Sequence, residues 1–295
     1  MFSAPSSSRV WRAPAKVNLT LHVLGRRADG WHELDSFVAF AGCSDWLRFD
    51  GGEALSLVVD GPTGAAAGPV EDNLVLRAAR ALAERAPGLR LGRFRLRKFL
   101  PVAAGLGGGS ADAAAALRAL AHENGLAADD ERLWAAARAV GADVAACLSP
   151  RARRMAGLGE RLGSPLETPP LFAVLANPGA PVATSEVYAG LGLARGAATG
   201  LEPSPRIDAN LDAAGLIAAL SRGRNDLQAS ALRLAPKIAE ALEALSYGEG
   251  CRLARMSGSG ATCFALYEDR RLAGRAAGAL RRAHSDWWIR ATALR

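Results

Sequence analysis

Apolar and polar side chains alternate through residues 16–23, with Val17, Leu19, Leu21 and Val23 on one set of positions and Lys16, Asn18, Thr20 and His22 on the other. A strand with this pattern carries Lys16 and Asn18 on one face. Shorter strand-like runs occupy residues 46–49, 55–59 and 94–97. Elsewhere the apolar spacing shifts to three and four, which predicts helices over 73–86, 111–122 and 131–140. Gly141 is placed as a left-handed cap on the third of these, and a short helix follows over 144–148. After Arg151 the texture changes. Residues 171–176, 251–256 and 264–267 read as strands, and 226–245 and 270–284 as helices. The Gly-, Ala- and Pro-rich stretch 190–205 reads as an exposed connection. No repeat of fixed period is visible. The expectation is an α+β chain of two domains, residues 1–160 and 161–295, with the boundary near 157–165.

Within that pattern one run stands apart: Pro101, Val102, Ala103, Ala104, Gly105, Leu106, Gly107, Gly108, Gly109, Ser110 and Ala111. Four glycines in five positions let main-chain amides turn toward an anion that approaches with no Cβ in the way. Ser110 is placed to cap the alanine-rich helix that follows, whose positive dipole end faces the same point. The plain alternative is a glycine hinge or a tight helix cap. Neither well-known nucleotide fingerprint fits. No Gly-Lys pair exists for a Walker loop, and Ser110 occupies the third-glycine position of the dinucleotide pattern. A cation for a bound phosphate must therefore come from elsewhere.

The chain has 36 Lys and Arg, yet lysine occurs only at Lys16, Lys98 and Lys237. A compact ammonium retained where arginine is the general cation suggests a local chemical demand, against the alternative of a chance surface lysine. Asp143, in a nearly apolar stretch, is either an ordinary N-cap of the short helix after it or a carboxylate that needs a partner charge such as Lys16.

Composition narrows the classes. With 295 residues, half of them hydrophobic, the chain can bury a large core. Cys43, Cys147, Cys251 and Cys263 are widely spaced, without a metal-ligand pattern, which argues against structural zinc and a disulfide framework and fits a reducing cytoplasm. Residues 1–11 lack the apolar stretch of a signal peptide, and no run approaches a bilayer span, so no membrane partner is expected. The net charge of +7 is spread over dispersed arginines without interleaved aromatics. That is a general cationic surface without the stacking aromatics of a nucleic-acid site, and because it would also attract small polyanions such as nucleotides, charge alone does not separate the two classes.

Taken together, Ala15-Lys16-Val17-Asn18, the loop Gly105 to Ser110, Gly141-Ala142-Asp143-Val144 and Gly258-Ser259-Gly260-Ala261 resemble the GHMP kinases, in order and over most of the chain. Leu24 to Leu34 and Glu71-Asp72-Asn73 resemble one branch of that family, acting on a tertiary alcohol that carries a cytidine diphosphate. The resemblance implies a two-domain kinase, monomer or weak homodimer, with ATP and a small-molecule substrate in an interdomain cleft and Mg²⁺ as cofactor. By the same carry-over Asp143 is the base on the hydroxyl, and Lys16 lies beside it and the transferring phosphate. The run 101–111 holds the phosphates, and Asn73 and Lys98 lie near the adenine. Asn18, Trp31, His32, Thr184 and Tyr188, together with Asp143, hold the cytidyl substrate. Each has an ordinary alternative: Asn73 and Thr184 as helix caps, Lys98 at the end of an edge strand, His32 as a loop histidine, Trp31 and Tyr188 as core closure, and residues 257–260 as a plain hairpin turn. The chain departs from the family at Trp31, where tyrosine or phenylalanine is usual, at Ala111 in place of a second serine, and at Ala145 in place of proline. With one hydroxyl fewer at Ala111, no protein ligand is assigned to magnesium.

Overall fold

The protein is described from a computed structural model over residues 9–295, so the amino-terminal stretch 1–11 is covered only from residue 9 onward. In chain order the strands are β1 (Val10–Asn18), β2 (His22–Arg26), β3 (His32–Asp50), β4 (Ser56–Asp60), β5 (Arg93–Arg97), β6 (Arg153–Gly157), β7 (Arg161–Leu162), β8 (Leu171–Asn177), β9 (Cys251–Met256), β10 (Cys263–Tyr267) and β11 (Trp288–Leu294). The helices are α1 (Leu74–Arg85), α2 (Gly108–Glu123), α3 (Glu131–Val140), α4 (Ala142–Leu148), α5 (Thr184–Ala189), α6 (Ala213–Ser221), α7 (Gln228–Leu234), α8 (Lys237–Ser246) and α9 (Arg270–Ala283). This is mixed helix and sheet, as the sequence pattern predicts. Two compact units emerge. One holds the described residues up to Ala15 with Ser44–Val102 and Gly108–Ser149, and the other holds Lys16–Cys43, Ala103–Gly107 and Pro150–Arg295.

In the first unit β4 runs parallel to β5, and β5 pairs antiparallel with the end of β3 from Trp46↔Arg97 to Asp50↔Arg93. Strand β5 buries Phe94 and Leu96 and exposes its three arginines, the period-2 signature that made it legible. Helix α1 packs on α2 and α3, and α2 on α4. Alanines at 113–116 are buried on every side of α2, which lets its neighbours approach closely. Leu82, Leu117 and Leu120 are fully buried beside them, each worth roughly 1.5–3 kcal/mol.

Three local expectations are corrected here. Helix α2 begins at Gly108, so Ser110 lies inside its first turn and does not cap it. Gly141 has φ 168°, extended and not left-handed, and serves as the shared cap between α3 and α4. Asp143 falls in the first turn of α4 with Gly141 ahead of it as the N-cap. The ordinary reading of Asn73 holds, since its side chain accepts the Val75 N–H at 3.0 Å and caps α1.

In the second unit β11, β8, β10 and β9 form an antiparallel sheet, with α8 and α9 packed on it. Strand β3 starts beside β2 on one edge and β6 on the other, with Leu34 opposite Val23 and Gly157. The strand expected over 16–23 is two pieces: β1 ends at Asn18, and after a bend β2 begins at His22. All eight residues from Lys16 to Val23 are buried, so the alternation there separates an apolar from a buried polar face, not inside from outside. The helix expected over 226–245 is also two, α7 and α8, because Pro236 cannot continue the ladder of α7. Stretch 190–205 is the largely exposed connection that the sequence predicts, tied to its neighbours at a few points. The Thr199 and Arg26 amides bond to Leu24 O and Ala197 O, and Ser204 is buried with its hydroxyl 2.6 Å from that of Thr20. Gly25 is needed beside it, because a Cβ there would meet Ala197 O at 2.7 Å. Among the described residues, no helix is long and apolar enough to cross a membrane.

Candidate active site

In the second unit the tip of the glycine loop is stapled by main-chain and hydroxyl groups from three directions. Lys16 N donates to Leu106 O at 2.9 Å, Thr262 N to Ala104 O at 3.1 Å, and Ser257 Oγ to Gly105 O at 2.8 Å. Ala103, Gly105 and Gly107 all take positive φ, which leaves the tip turned sharply on itself. At Gly105 a side chain would overlap Ser257 O and stand 3.0 Å from both Gly260 N and O. The turn 257–262 between β9 and β10 is therefore more than a hairpin connection: it is the seat of the loop. Asn225 holds that turn from behind, donating to Met256 O and Gly258 O at 2.8 Å.

Beside the loop, Lys16 and Asn18 share a face of β1. Lys16 Nζ donates to Asn18 Oδ1 at 2.9 Å, and Asn18 Nδ2 donates to Ser36 Oγ at 2.8 Å. The Asn18 amide is tied to the same Ser257 hydroxyl that holds Gly105, at 3.0 Å. One serine thus fixes both the lysine strand and the loop, and the sequence drew attention to its turn but not to its hydroxyl.

The second unit also holds a cavity of ≈ 750 Å³ lined by Arg26, Gly30, Trp31, His32, Leu34, Leu158, Thr184, Ser185, Tyr188 and the 189–194 turn. The rings of His32 and Tyr188 lie 4.8 Å apart at 34°, and Trp31 is 65% exposed. A tight turn presents this pair: Arg27 N donates to Trp31 O, Trp31 N to Asp29 Oδ1, and Gly30 takes φ +95°. Arg26 ties the turn to the far wall, donating to Gly30 O at 3.1 Å and Leu193 O at 3.0 Å. Burial, and then the Arg26 charge, hold His32 below the usual histidine range, so at neutral pH it is an uncharged ring. Thr184 lies in the first turn of α5 with Ala183 as the cap, and its hydroxyl pairs with Ser259 Oγ at 2.9 Å. Four of the expected substrate residues, Trp31, His32, Thr184 and Tyr188, thus line one cavity.

In the first unit Lys98 leaves the end of β5 and is buried. Its ammonium lies 2.6 Å from Asp45 Oδ2 and 2.6 Å from Asp112 Oδ2. Burial pushes the Asp112 carboxyl up to about 7, with the Lys98 charge opposing and Asp45 adding to the shift. Pro101 and Val102 continue from this strand end, and Val102 is exposed. Asp143 is half-buried in the first turn of α4. Sequence reasoning missed Asp45 and Asp112, whose only signal was the rarity of the lysine between them.

Comparison with known proteins bears on this arrangement. Residues 73–151 match the family model for the GHMP kinases N terminal domain, and residues 207–286 the model for the GHMP kinases C terminal region. A curated relative from Methylobacterium radiotolerans, named 4-diphosphocytidyl-2-C-methyl-D-erythritol kinase, is 59% identical over 96% of this chain and 98% of its own length. The chain belongs to the GHMP kinases. As a member of that family it is a small-molecule phosphotransferase whose phosphoryl donor is ATP. Another GHMP kinase bearing the same name, from Xanthobacter autotrophicus, is 57% identical over 96% of this chain and 98% of its own. The crystal structure of a 4-(cytidine 5'-diphospho)-2C-methyl-D-erythritol kinase is 37% identical, with a TM-score of 0.73 over 97% of this chain and 99% of that one. The homoserine kinase from Cytophaga hutchinsonii, 18% identical with a TM-score of 0.66 over 99% of this chain and 97% of its own, shares the fold.

Proposed function

We propose that this GHMP kinase transfers the γ-phosphate of ATP to the tertiary 2-hydroxyl of 4-diphosphocytidyl-2-C-methyl-D-erythritol, a step of the non-mevalonate route to isoprenoid precursors. The observation that carries the reading is the aromatic cavity at Trp31, His32 and Tyr188, in a chain 59% identical to a relative of that name. A neutral imidazole and flanking aromatic faces suit a planar base with ring donors and acceptors such as cytosine. Thr184 and Asn18 supply hydroxyl and amide groups toward the rest of the substrate.

Phosphoryl transfer asks mainly for alignment and charge neutralisation. The residues 101–111 surround the phosphates with main-chain amides, the N-terminus of α2 adds its dipole, and Lys16 stands beside the transferring group. Asp143 takes the hydroxyl proton as the oxygen bonds to the γ-phosphorus and ADP leaves. Asn73 and the chain at Lys98 lie near the adenine, with the Lys98 ammonium itself turned to Asp45 and Asp112. Among the described residues, no cluster of three or more acidic, histidine or cysteine side chains could hold a metal. Magnesium would offset the charge of the triphosphate, and no protein ligand is assigned to it.

We divide the sequence into an N-terminal kinase domain, 1–160, and a C-terminal one, 161–295. The matched ranges 73–151 and 207–286 support that division, although by packing residues 16–43 and 103–107 group with the C-terminal part. A cytoplasmic monomer or weak homodimer, without nucleic-acid or membrane partners, completes the reading. The test is a panel of alcohols offered with Mg-ATP: the cytidyl compound, the same alcohol without its cytidyl group, mevalonate and homoserine. ADP forms with the cytidyl compound alone. Equal turnover of an alcohol that lacks cytosine contradicts the substrate assignment.

A further inference from the structure

Asp45 and Asp112, the two carboxylates of the buried cluster at the end of β5, have no part in the reaction as described above, yet the cluster grips the chain on both sides of the glycine loop. Asp45 Oδ1 accepts the Phe99 N–H at 2.5 Å and the Leu100 N–H at 2.8 Å, fixing the chain as it leaves the strand. Thr63 Oγ1 holds Leu100 O at 2.8 Å from the opposite side. The other carboxylate, Asp112, comes from the second turn of α2, four residues beyond the helix start. Gly108, the first residue of α2, lies over the ammonium, where a Cβ would stand 3.6 Å from Lys98 Nζ and 3.8 Å from Asp45 Oδ2. The chain entering the loop and the chain leaving it thus meet around one positive charge.

Two features separate this cluster from ordinary core packing. A single ammonium faces two carboxylates that are 0% and 2% exposed, so the cluster carries a surplus acid. Moreover Asp112 Oδ1 is buried and has no hydrogen-bond partner among the described residues. An unsatisfied buried oxygen costs about 1–3 kcal/mol, and an apolar side chain of similar size would avoid that cost. A group retained against stability points to a role in geometry.

We propose that Asp45, Lys98 and Asp112 form a brace that sets the two stems of the nucleotide loop, making Asp45 and Asp112 positioning residues for ATP. The Lys98 ammonium serves inside this brace and is not a ligand of the nucleotide. The proposal rests on the reading of residues 101–111 as the phosphate site. A displacement of an ångström at either stem is carried into the loop between them, and misplacement on that scale can cost about a hundredfold in rate.

The experiment measures kcat, KM for ATP, KM for the cytidyl alcohol and the melting temperature in Asp112→Asn, Asp45→Asn and the double variant Lys98→Met/Asp112→Asn. In both single variants KM for ATP is expected to rise at least fivefold while KM for the alcohol stays within twofold of the parent. The double variant is expected to stay within threefold of Asp112→Asn in KM for ATP, because both changes break the same brace. A lowered melting temperature with both KM values unchanged in the single variants reduces the cluster to core structure and overturns the proposal. A further tenfold rise in KM for ATP in the double variant restores Lys98 as a direct nucleotide ligand and overturns it as well. Gly105→Ala separates this from the reading beneath it. If that change raises KM for ATP and the Asp variants do not, the brace alone fails; if none of them does, the phosphate-loop reading fails.

Discussion

Adding one methyl group at Gly105 tests the loop where its backbone is most constrained. The residue has φ +74°, a conformation that costs an L-residue about 1–2 kcal/mol. The new Cβ would also overlap the Ser257 carbonyl oxygen, and no rotamer change relieves a clash with main chain. Either the loop tip or the turn 257–262 must move. The Ser257 hydroxyl then loses its bond to Gly105 O, and the Asn18 N–H that donates to that hydroxyl is disturbed, at about 1 kcal/mol each. The sum is roughly 3 kcal/mol, concentrated at the point where amides meet phosphate in the account above. If it falls on nucleotide binding, affinity for ATP drops about a hundredfold, since ~1.4 kcal/mol corresponds to tenfold. Calorimetric titration of Gly105→Ala with ATP reads this directly, and thermal unfolding shows whether the change is local. Parent-like ATP affinity with an unchanged melting temperature refutes the reasoning, because the strain would then have no consequence.

His22 offers a test by pH. Its Nδ1 lies 3.1 Å from Glu202 O and its Nε2 accepts the Arg224 N–H at 3.1 Å, so the folded protein requires the neutral ring. Burial is the main cause that holds its pKa below the ordinary value. The unfolded chain therefore takes up the proton first, and stability declines as pH falls below about 6.5 toward the lowered folded value. Urea midpoints at pH 7.5 and 5.5 are expected to differ less in His22→Gln, whose amide can serve both partners; an equal difference removes His22 as the cause. His32→Ala is expected to raise KM for the cytidyl alcohol more than tenfold and KM for ATP less than twofold in steady-state assays. Equal effects on the two would detach His32 from the cytidyl cavity.

Helices α1 and α3 were legible because each has one wet face and shows the three-and-four spacing, and Asn73 caps α1 as its ordinary reading suggests, while Asp130 caps α3. Strand β3 was seen only at its end. From Asp35 to Ala41 it is buried on both sides, so no alternation marks it. Pro236 divides the helix expected over 226–245, and the apolar period that continues on either side of it masks the interruption between α7 and α8. Stretch 190–205 was legible as an exposed connection, but the bonds that tie it to β2 were not. Ala197 and Ala198 lie against Gly25 of β2, an approach that composition does not reveal, whereas a Cβ at Gly192, Gly196 or Gly200 would meet nothing within 4 Å. The cavity residues Trp31, His32, Thr184 and Tyr188 were reachable through motif resemblance, whereas Arg26, Ser257 and Asn225 work by bonds to main-chain oxygen or nitrogen that leave no pattern in sequence. The pair Asp45 and Asp112 flanks Lys98 from residues 53 and 14 positions away, and only the fold brings them together.

The central claim is that this chain aligns ATP with an alcohol whose proton passes to Asp143. Single-turnover phosphorylation of the cytidyl alcohol by Asp143→Asn, with ATP affinity measured in parallel, tests it most directly. Loss of the general base lowers the rate by about 10²- to 10⁴-fold while the affinity for ATP stays within threefold of the parent. A rate within tenfold of the parent contradicts the account, because the hydroxyl would then lose its proton without that carboxylate.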